Sequence, residues 1–264
     1  MSNLEGRSAL VTGAAQGLGR AFAEALVRAG VNVTLCDVQP GAPEFARALQ
    51  GPGKAVGIVA DVSQEADIRR LVDTALSNFG RIDTLVNNAG RWRRTPVSDP
   101  LDEALADWDY IMDTNLRGLL LLSRACVPHL VAAGGGDIVH ISTYYVLPAK
   151  SPGTNSPETD LYNASKWALN GFTQAWARVL ADKHVRVNAL CMGATDTPML
   201  RGLWEGDPPA DFARTWMKPE QIAQQLIDLL AEGPSGRTGE NIGAWVGEPV
   251  ALGPRKAPHR TVTG

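Results

Sequence analysis

The sequence predicts an α/β chain: a doubly wound parallel sheet, helices on both faces, in one domain spanning all 264 residues. Three observations carry this. Short apolar runs alternate with longer amphipathic stretches along the chain, the pattern of βα units. The first run meets a glycine-rich turn and then a helical pattern. Five apolar runs end in polar or glycine residues, where open parallel sheets bind ligands.

The elements follow in order. Ser8 to Thr12 reads as a buried strand. Gly13-Ala14-Ala15-Gln16-Gly17-Leu18-Gly19 is the turn, and a helix through Phe22, Leu26 and Val27 stops at Gly30. Glycines allow a tight turn and let backbone N–H groups approach a pyrophosphate at the positive end of the helix. Val31 to Cys36 is the second strand and ends at Asp37-Val38. An acidic residue there accepts hydrogen bonds from ribose hydroxyls and repels a 2′-phosphate, which favours NAD over NADP. Lys54 to Ala60 is a third strand, closed by Asp61-Val62. Ser63 is the expected N-cap of a helix to Phe79, with Gly80 as its stop. Ile82 to Val86 is a fourth strand, closed by Asn87-Asn88-Ala89-Gly90. Asp102 to about Val131 reads as a long helix that Pro128 kinks or ends. Ile138 to Ile141 is a fifth strand and runs into Ser142-Thr143. A helix starts near Tyr162, Val185 to Leu190 is a sixth strand, Pro219 to Leu230 a helix and Ile242 to Val246 a last strand. Residues 194–218 form a lid segment and 253–264 a basic tail.

Composition excludes several functions. A net charge of −3 argues against a nucleic-acid partner. Cys36, Cys126 and Cys191 lie far apart among apolar residues and read as core residues of a reduced, cytoplasmic protein. No Cys or His spacing suggests a metal, and no apolar run is long enough for a signal segment or a membrane span.

Tyr162 and Lys166 stand one helical turn apart on one face. An ammonium beside a phenol favours the phenolate, so the expectation is a lowered tyrosine pKa and proton exchange with an alcohol near neutrality. The same spacing also arises on solvated helix faces.

Thr12-Gly13-x3-Gly17-x-Gly19, Asp61-Val62, Asn87-Asn88-Ala89-Gly90, Asn115 and Tyr162-x3-Lys166 occur in this order. With these motifs the sequence resembles the short-chain dehydrogenase/reductase family over nearly its whole length. The resemblance implies a Rossmann-type fold, hydride transfer between NAD(P) and an alcohol or carbonyl, and a homo-oligomer, a tetramer or dimer. It implies Tyr162 as acid/base, Lys166 as its tuner and holder of the nicotinamide ribose, and Asn115 as the residue that opens its helix and positions a water. It places Asp61 and Val62 at the adenine, Asn88, Ala89 and Gly90 at the adenosine ribose, and Gly193, Thr195 and Thr197 at the nicotinamide end.

The chain departs from the family pattern in three places. The family's serine after the fifth strand falls on Thr143 in the usual register, with Ser142 as the alternative; either keeps a hydroxyl for the substrate oxygen. The loop 144–157 is longer than usual and is either a surface insertion or a cap over the substrate. Met192 replaces a usual proline, the late glycine pair is absent, and the tail is either disordered or packs on a neighbouring subunit.

Trp92, Tyr144, Tyr145 and Trp204, with other lid aromatics, suit an apolar cyclic or aromatic substrate or simply pack the lid. Arg91, Arg93 and Arg94 either attract a carboxylate or form a solvated run. The alternatives to an NAD-dependent alcohol dehydrogenase or ketone reductase are a catalytically silent NAD-binding sensor and a methyltransferase of similar fold.

Overall fold

A computed structural model describes residues 4–147 and 158–256. Its centre is one seven-stranded sheet: β1 (Ser8–Thr12), β2 (Asn32–Asp37), β3 (Ala55–Val59), β4 (Thr84–Asn87), β5 (Gly136–Thr143), β6 (Val185–Met192) and β7 (Asn241–Ala244). The spatial order is β3-β2-β1-β4-β5-β6-β7. Every pairing is parallel. β1, β4 and β6 are buried at every position. Two covered faces remove the polar alternation of a half-exposed strand, so these strands read as continuous apolar runs.

The helices form two layers. α1 (Gly17–Arg28), α2 (Ala42–Ala48) and α9 (Pro219–Ala231) cover one face, around Phe22, Leu26, Phe45, Ile222 and Leu226. α3 (Glu65–Phe79), α5 (Leu119–Ala132) and α6 (Asp160–Val179) cover the other, around Leu71, Leu122, Cys126, Leu130 and Ala177. α4 (Leu101–Met112) precedes α5, and the short α7 (Pro198–Arg201) and α8 (Ala210–Ala213) lie between β6 and α9. The order turns outward in opposite directions from β1 and β4, so the loops after β1, β4, β5 and β6 converge on one edge. The three cysteines are buried and free, and burial pushes each thiol up to about 12. Among the described residues, no helix is long and apolar enough to cross a membrane.

The structure corrects several element readings. Ser63 does not cap α3: its Oγ accepts from Gln64 Nε2 at 3.1 Å, and the helix starts at Glu65 after Gln64. Pro128 does not end α5, which runs on to Ala132. The break in the long helix is instead a π-helical segment, Asp113–Gly118. α2 was not anticipated, because its seven residues give too short a periodic signal. The last strand ends at Ala244, two residues early. The tail starts on its own chain: Arg237 Nη2 donates to Gly253 O, and Lys256 N donates to Glu240 Oε1. The capping role suggested for the 144–157 loop falls mainly on residues 148–157, which lie outside the described residues, as do tail residues 257–264.

The opposite edge of the sheet carries a buried ion network. Asp137 lies between Arg7 and Arg186, at 2.6 Å from each, with its side chain 5% exposed. The chain of pairs continues through Glu232 and Arg237 to Glu240. Removing one partner of such a network leaves uncompensated buried charge. Asp137→Ala is expected to lower unfolding free energy by roughly 3–5 kcal/mol in urea titrations. A loss below about 1 kcal/mol would show that the network is only a surface feature.

Candidate active site

The site is built from the backbone outward. Gly13 holds φ at +64°, and a Cβ there would come within 2.9 Å of Ala89 Cα. A Cβ on Gly19 would stand 2.2 Å from Gly13 O and 2.5 Å from Asn88 Nδ2. Only glycine fits either position. Asn88 braces this turn: its Nδ2 donates to Thr12 O and Gly13 O, at 2.8 and 2.9 Å. Thr12 Oγ1 accepts in return from the N–H groups of Asn88 and Ala89. Gln16, the residue before α1, makes no side-chain cap bond, so the first N–H groups of α1 remain available to an anion.

Asp37 lies at the end of β2, 7% exposed. Its carboxylate accepts from Ala15 N at 2.9 Å and from Gln39 N at 3.0 Å, which fixes it against the glycine turn. These features fit a dinucleotide: a close-approach turn, an open helix N-terminus and a positioned carboxylate. Val38 is half exposed beside Asp37. Asp61 Oδ1 is occupied by Ser63 N. Val62 and Ala89 border a small hollow under the sheet edge with Asn87 and Thr114.

Asn115 lies in the π-helical segment and is buried. Its Oδ1 accepts from Arg91 N at 2.7 Å, and its Nδ2 donates to Arg91 O and to Ser165 Oγ. Ser165 Oγ donates to Tyr162 O at 2.7 Å. Asn115 is thereby tied to the start of α6. Lys166 is 6% exposed and donates from Nζ to Ile141 O at 2.9 Å. Burial brings its pKa down to about 8. Its Nζ is 5.6 Å from the centre of the Tyr162 ring.

The Tyr162 phenol departs from expectation. Burial pushes its pKa up, and neighbouring Tyr145 adds to the rise. Desolvation outweighs the ammonium here because Lys166 is itself buried and turned onto a carbonyl. The resting phenol is a proton donor, not a phenolate. His140, fully buried behind the site, is held neutral with a pKa of about 3.

A cleft of about 430 Å³ opens at this edge. Gly13, Gln16, Leu18, Asn88 and Gly90 line it, with Ser142, Thr143, Tyr162 and Lys166 and with Gly193, Thr195 and Thr197. Trp92, Tyr144, Tyr145 and Trp204 also line it, together with Met199, Leu200, Leu203 and Phe212. Gly17, Gly19, Asp37, Val38, Asp61, Val62, Ala89 and Asn115 stand outside its lining. Ser142 and Thr143 both border the cleft, although alternation on a strand would send only one there. Their hydroxyls differ: Ser142 Oγ is buried, whereas Thr143 Oγ1, at the start of a 3₁₀ segment, accepts from Tyr145 N at 3.5 Å.

Aromatic packing shapes the walls. Tyr144 and Tyr145 lie 4.7 Å apart, with Tyr144 edge-on to Trp245. Trp204, Phe212 and Trp216 pack on one another at 5.5–5.9 Å. Trp216 is 3% exposed and supports the lid from behind. Sequence reasoning missed the Ile141 carbonyl, Ser165 and the Thr12 hydroxyl. Ser165 is three residues after Tyr162 on the same helix, a detectable signal; the other two depend on partners distant in sequence.

The family model for short chain dehydrogenases matches residues 7–208. A 3-oxoacyl-[acyl-carrier-protein] reductase of Thermotoga maritima is 32% identical over 246 residues, covering 91% of this chain and 96% of that protein. A cis-4-hydroxycyclohexanecarboxylate dehydrogenase of Sinomonas cyclohexanicum is 34% identical over 239 residues, covering 87% and 91%. The crystal structure of a 3-ketoacyl-(acyl-carrier-protein) reductase from Brucella melitensis, complexed with NADH, superposes with a TM-score of 0.80 at 30% identity. It covers 93% of this chain and 99% of that one. With its family model, its relatives and its parallel seven-stranded fold in agreement, the chain belongs to the short-chain dehydrogenase family of oxidoreductases.

Proposed function

We propose that the protein is an NAD-dependent dehydrogenase/reductase that interconverts a small, apolar, cyclic or aromatic secondary alcohol and its ketone. The observation that carries this reading is one cleft in which Thr143, Tyr162 and Lys166 meet the glycine-turn residues. The relative named for hydroxycyclohexanecarboxylate supports a cyclic alcohol, and the NADH-bound neighbour supports the cofactor. Asp37, fixed beside the glycine turn, supports NAD over NADP.

When bound, the nicotinamide supplies the hydride for reduction and accepts it in oxidation. The chain's own residues manage the oxygen and its proton. Thr143 Oγ1 accepts from a backbone N–H and keeps its own proton to donate to the substrate oxygen. Tyr162 donates its phenolic proton to that oxygen as the carbonyl becomes an alcohol, and recovers it in the reverse direction. Lys166, with a pKa near 8, holds positive charge beside the phenolate that forms. Asn115 and Ser165 fix the start of α6, and so Tyr162. The silent-sensor alternative has no supporting feature, since the proton-handling groups are joined and share the cleft.

We read the protein as a cytoplasmic homo-oligomer. Leu101, Leu105 and Trp108 on α4 and Trp167 on α6 are exposed apolar side chains suited to a second copy, and the buried free thiols suit a reducing compartment.

Tyr162→Phe is expected to lower kcat by roughly 10²–10⁴-fold while the dissociation constant for NAD stays within about twofold; substantial residual turnover would remove Tyr162 from the mechanism. Asp37→Asn removes the charge and keeps one of the two oxygens that accept from Ala15 N and Gln39 N. It is expected to shift the NAD-to-NADP preference by about tenfold or more, ~1.4 kcal/mol, in steady-state comparison of the two cofactors. An unchanged ratio would exclude the ribose role. Thr143→Val is expected to cost more activity than Ser142→Ala; the reverse order would give the substrate oxygen to Ser142.

A further inference from the structure

The four residues after Gly90 read Arg91-Trp92-Arg93-Arg94, which suggests a basic mouth. The structure arranges them otherwise. Trp92 lines the cleft. Arg91 and Arg93, on either side of it, turn to the Tyr110 ring, with Cζ at 4.5 and 3.8 Å from its centre. Arg93 is also bonded to Asp107, one turn from Tyr110 on α4. Arg94 pairs with Glu158 at 2.6 Å. On the lid side, Asp196 holds both Arg201 and Lys218, at 2.6 and 2.9 Å. None of these cations lines the cleft. Among the described residues, Lys166 is the one charged group that does, buried and anchored by one of its N–H donors to the Ile141 carbonyl.

The polar residues around Trp92 and Lys166 in the lining include Thr143, Tyr144, Tyr145 and Tyr162, all neutral, while Ser142 Oγ is buried. The Tyr145 phenol is pushed up to about 12 by burial, so it stays a neutral donor. Opposite stand Leu200, Leu203, Trp204 and Phe212. Away from Lys166, a carboxylate entering this space would lose water and find, among the described residues, no cation lining the cleft to pair with. A neutral ring with a carbonyl, hydroxyl or amide loses far less.

We propose that the cleft selects uncharged aromatic or alicyclic ketones and alcohols and rejects otherwise equivalent substrates that carry a carboxylate. This rests on the alcohol–ketone reading above and separates the protein by substrate charge from the relative named for a hydroxycyclohexanecarboxylate.

The test compares 4-acetylbenzamide with 4-acetylbenzoate, which share shape and differ in charge at neutral pH. With NADH, kcat/KM for the benzamide is expected to exceed that for the benzoate by about 100-fold or more. Equal values, or preference for the benzoate, overturn the inference. Binding to the enzyme–NADH complex is read in parallel by quenching of tryptophan fluorescence. Tight benzamide and weak benzoate binding without turnover of either would uphold the charge selection and sink the alcohol–ketone reading. Binding of neither overturns the selection itself. Leu203→Arg places a cation on the exposed rim of the cleft and is expected to move the preference toward the benzoate by about tenfold or more. An unmoved preference would show that the ring does not lie against the lid and would overturn the proposal.

Discussion

The bond from Lys166 Nζ to the Ile141 carbonyl joins α6 to the end of β5 inside the protein. A buried ammonium is costly, so its only acceptable place is one where a carbonyl meets it and the surrounding walls cannot shift. That requirement fixes the rotation of α6, and with it Tyr162 one turn earlier. It also fixes Ser165, which meets Asn115 across the interface with the π-helical segment. The same desolvation sets the electrostatics. It lowers Lys166 toward neutrality, raises the Tyr162 phenol and, together with the Lys166 charge, keeps His140 uncharged.

Much of this architecture is legible in the sequence, for a physical reason. A parallel sheet covered on both faces needs every strand to be an apolar run and every crossover to be a helix, so the βα alternation is written residue by residue. The glycine turn is legible because close backbone approach tolerates no side chain at Gly13 and Gly19. What is not legible depends on competition between groups. Ser63 has the chemistry of a cap, but its hydroxyl accepts from the Gln64 side chain and the helix starts later. The i, i+4 spacing puts Tyr162 and Lys166 on one face, but spacing says nothing of burial, and burial decides the direction of the pKa. Asn88 is placed by its motif beside the cofactor, while its role in bracing Thr12 and Gly13 requires partners some seventy-five residues away.

The two edges of the sheet solve opposite problems. At the amino-terminal edge, Arg7, Asp137, Arg186, Glu232 and Arg237 bury charge and compensate it within the chain. Their pairing joins the segment before β1, the starts of β5 and β6 and the end of α9. At the carboxyl-terminal edge the cleft side presents hydroxyls, glycine backbone and aromatic rings. Charge compensated at one edge holds the strands in register, which lets the other edge keep polar groups available for a ligand.

The loop after β4 shows how local alternation sets the character of such a cleft. In an extended segment, residues two apart point the same way. Arg91 and Arg93 therefore share one side and Trp92 takes the other. Tyr110 decides which side faces the cleft. Its ring attracts both guanidiniums, and Asp107 on the same helix adds a charge partner for Arg93. With both arginines drawn to α4, the indole is left to line the cleft. A run that composition alone reads as basic becomes an apolar wall, because a helix some twenty residues further along supplies the better partner for its charge.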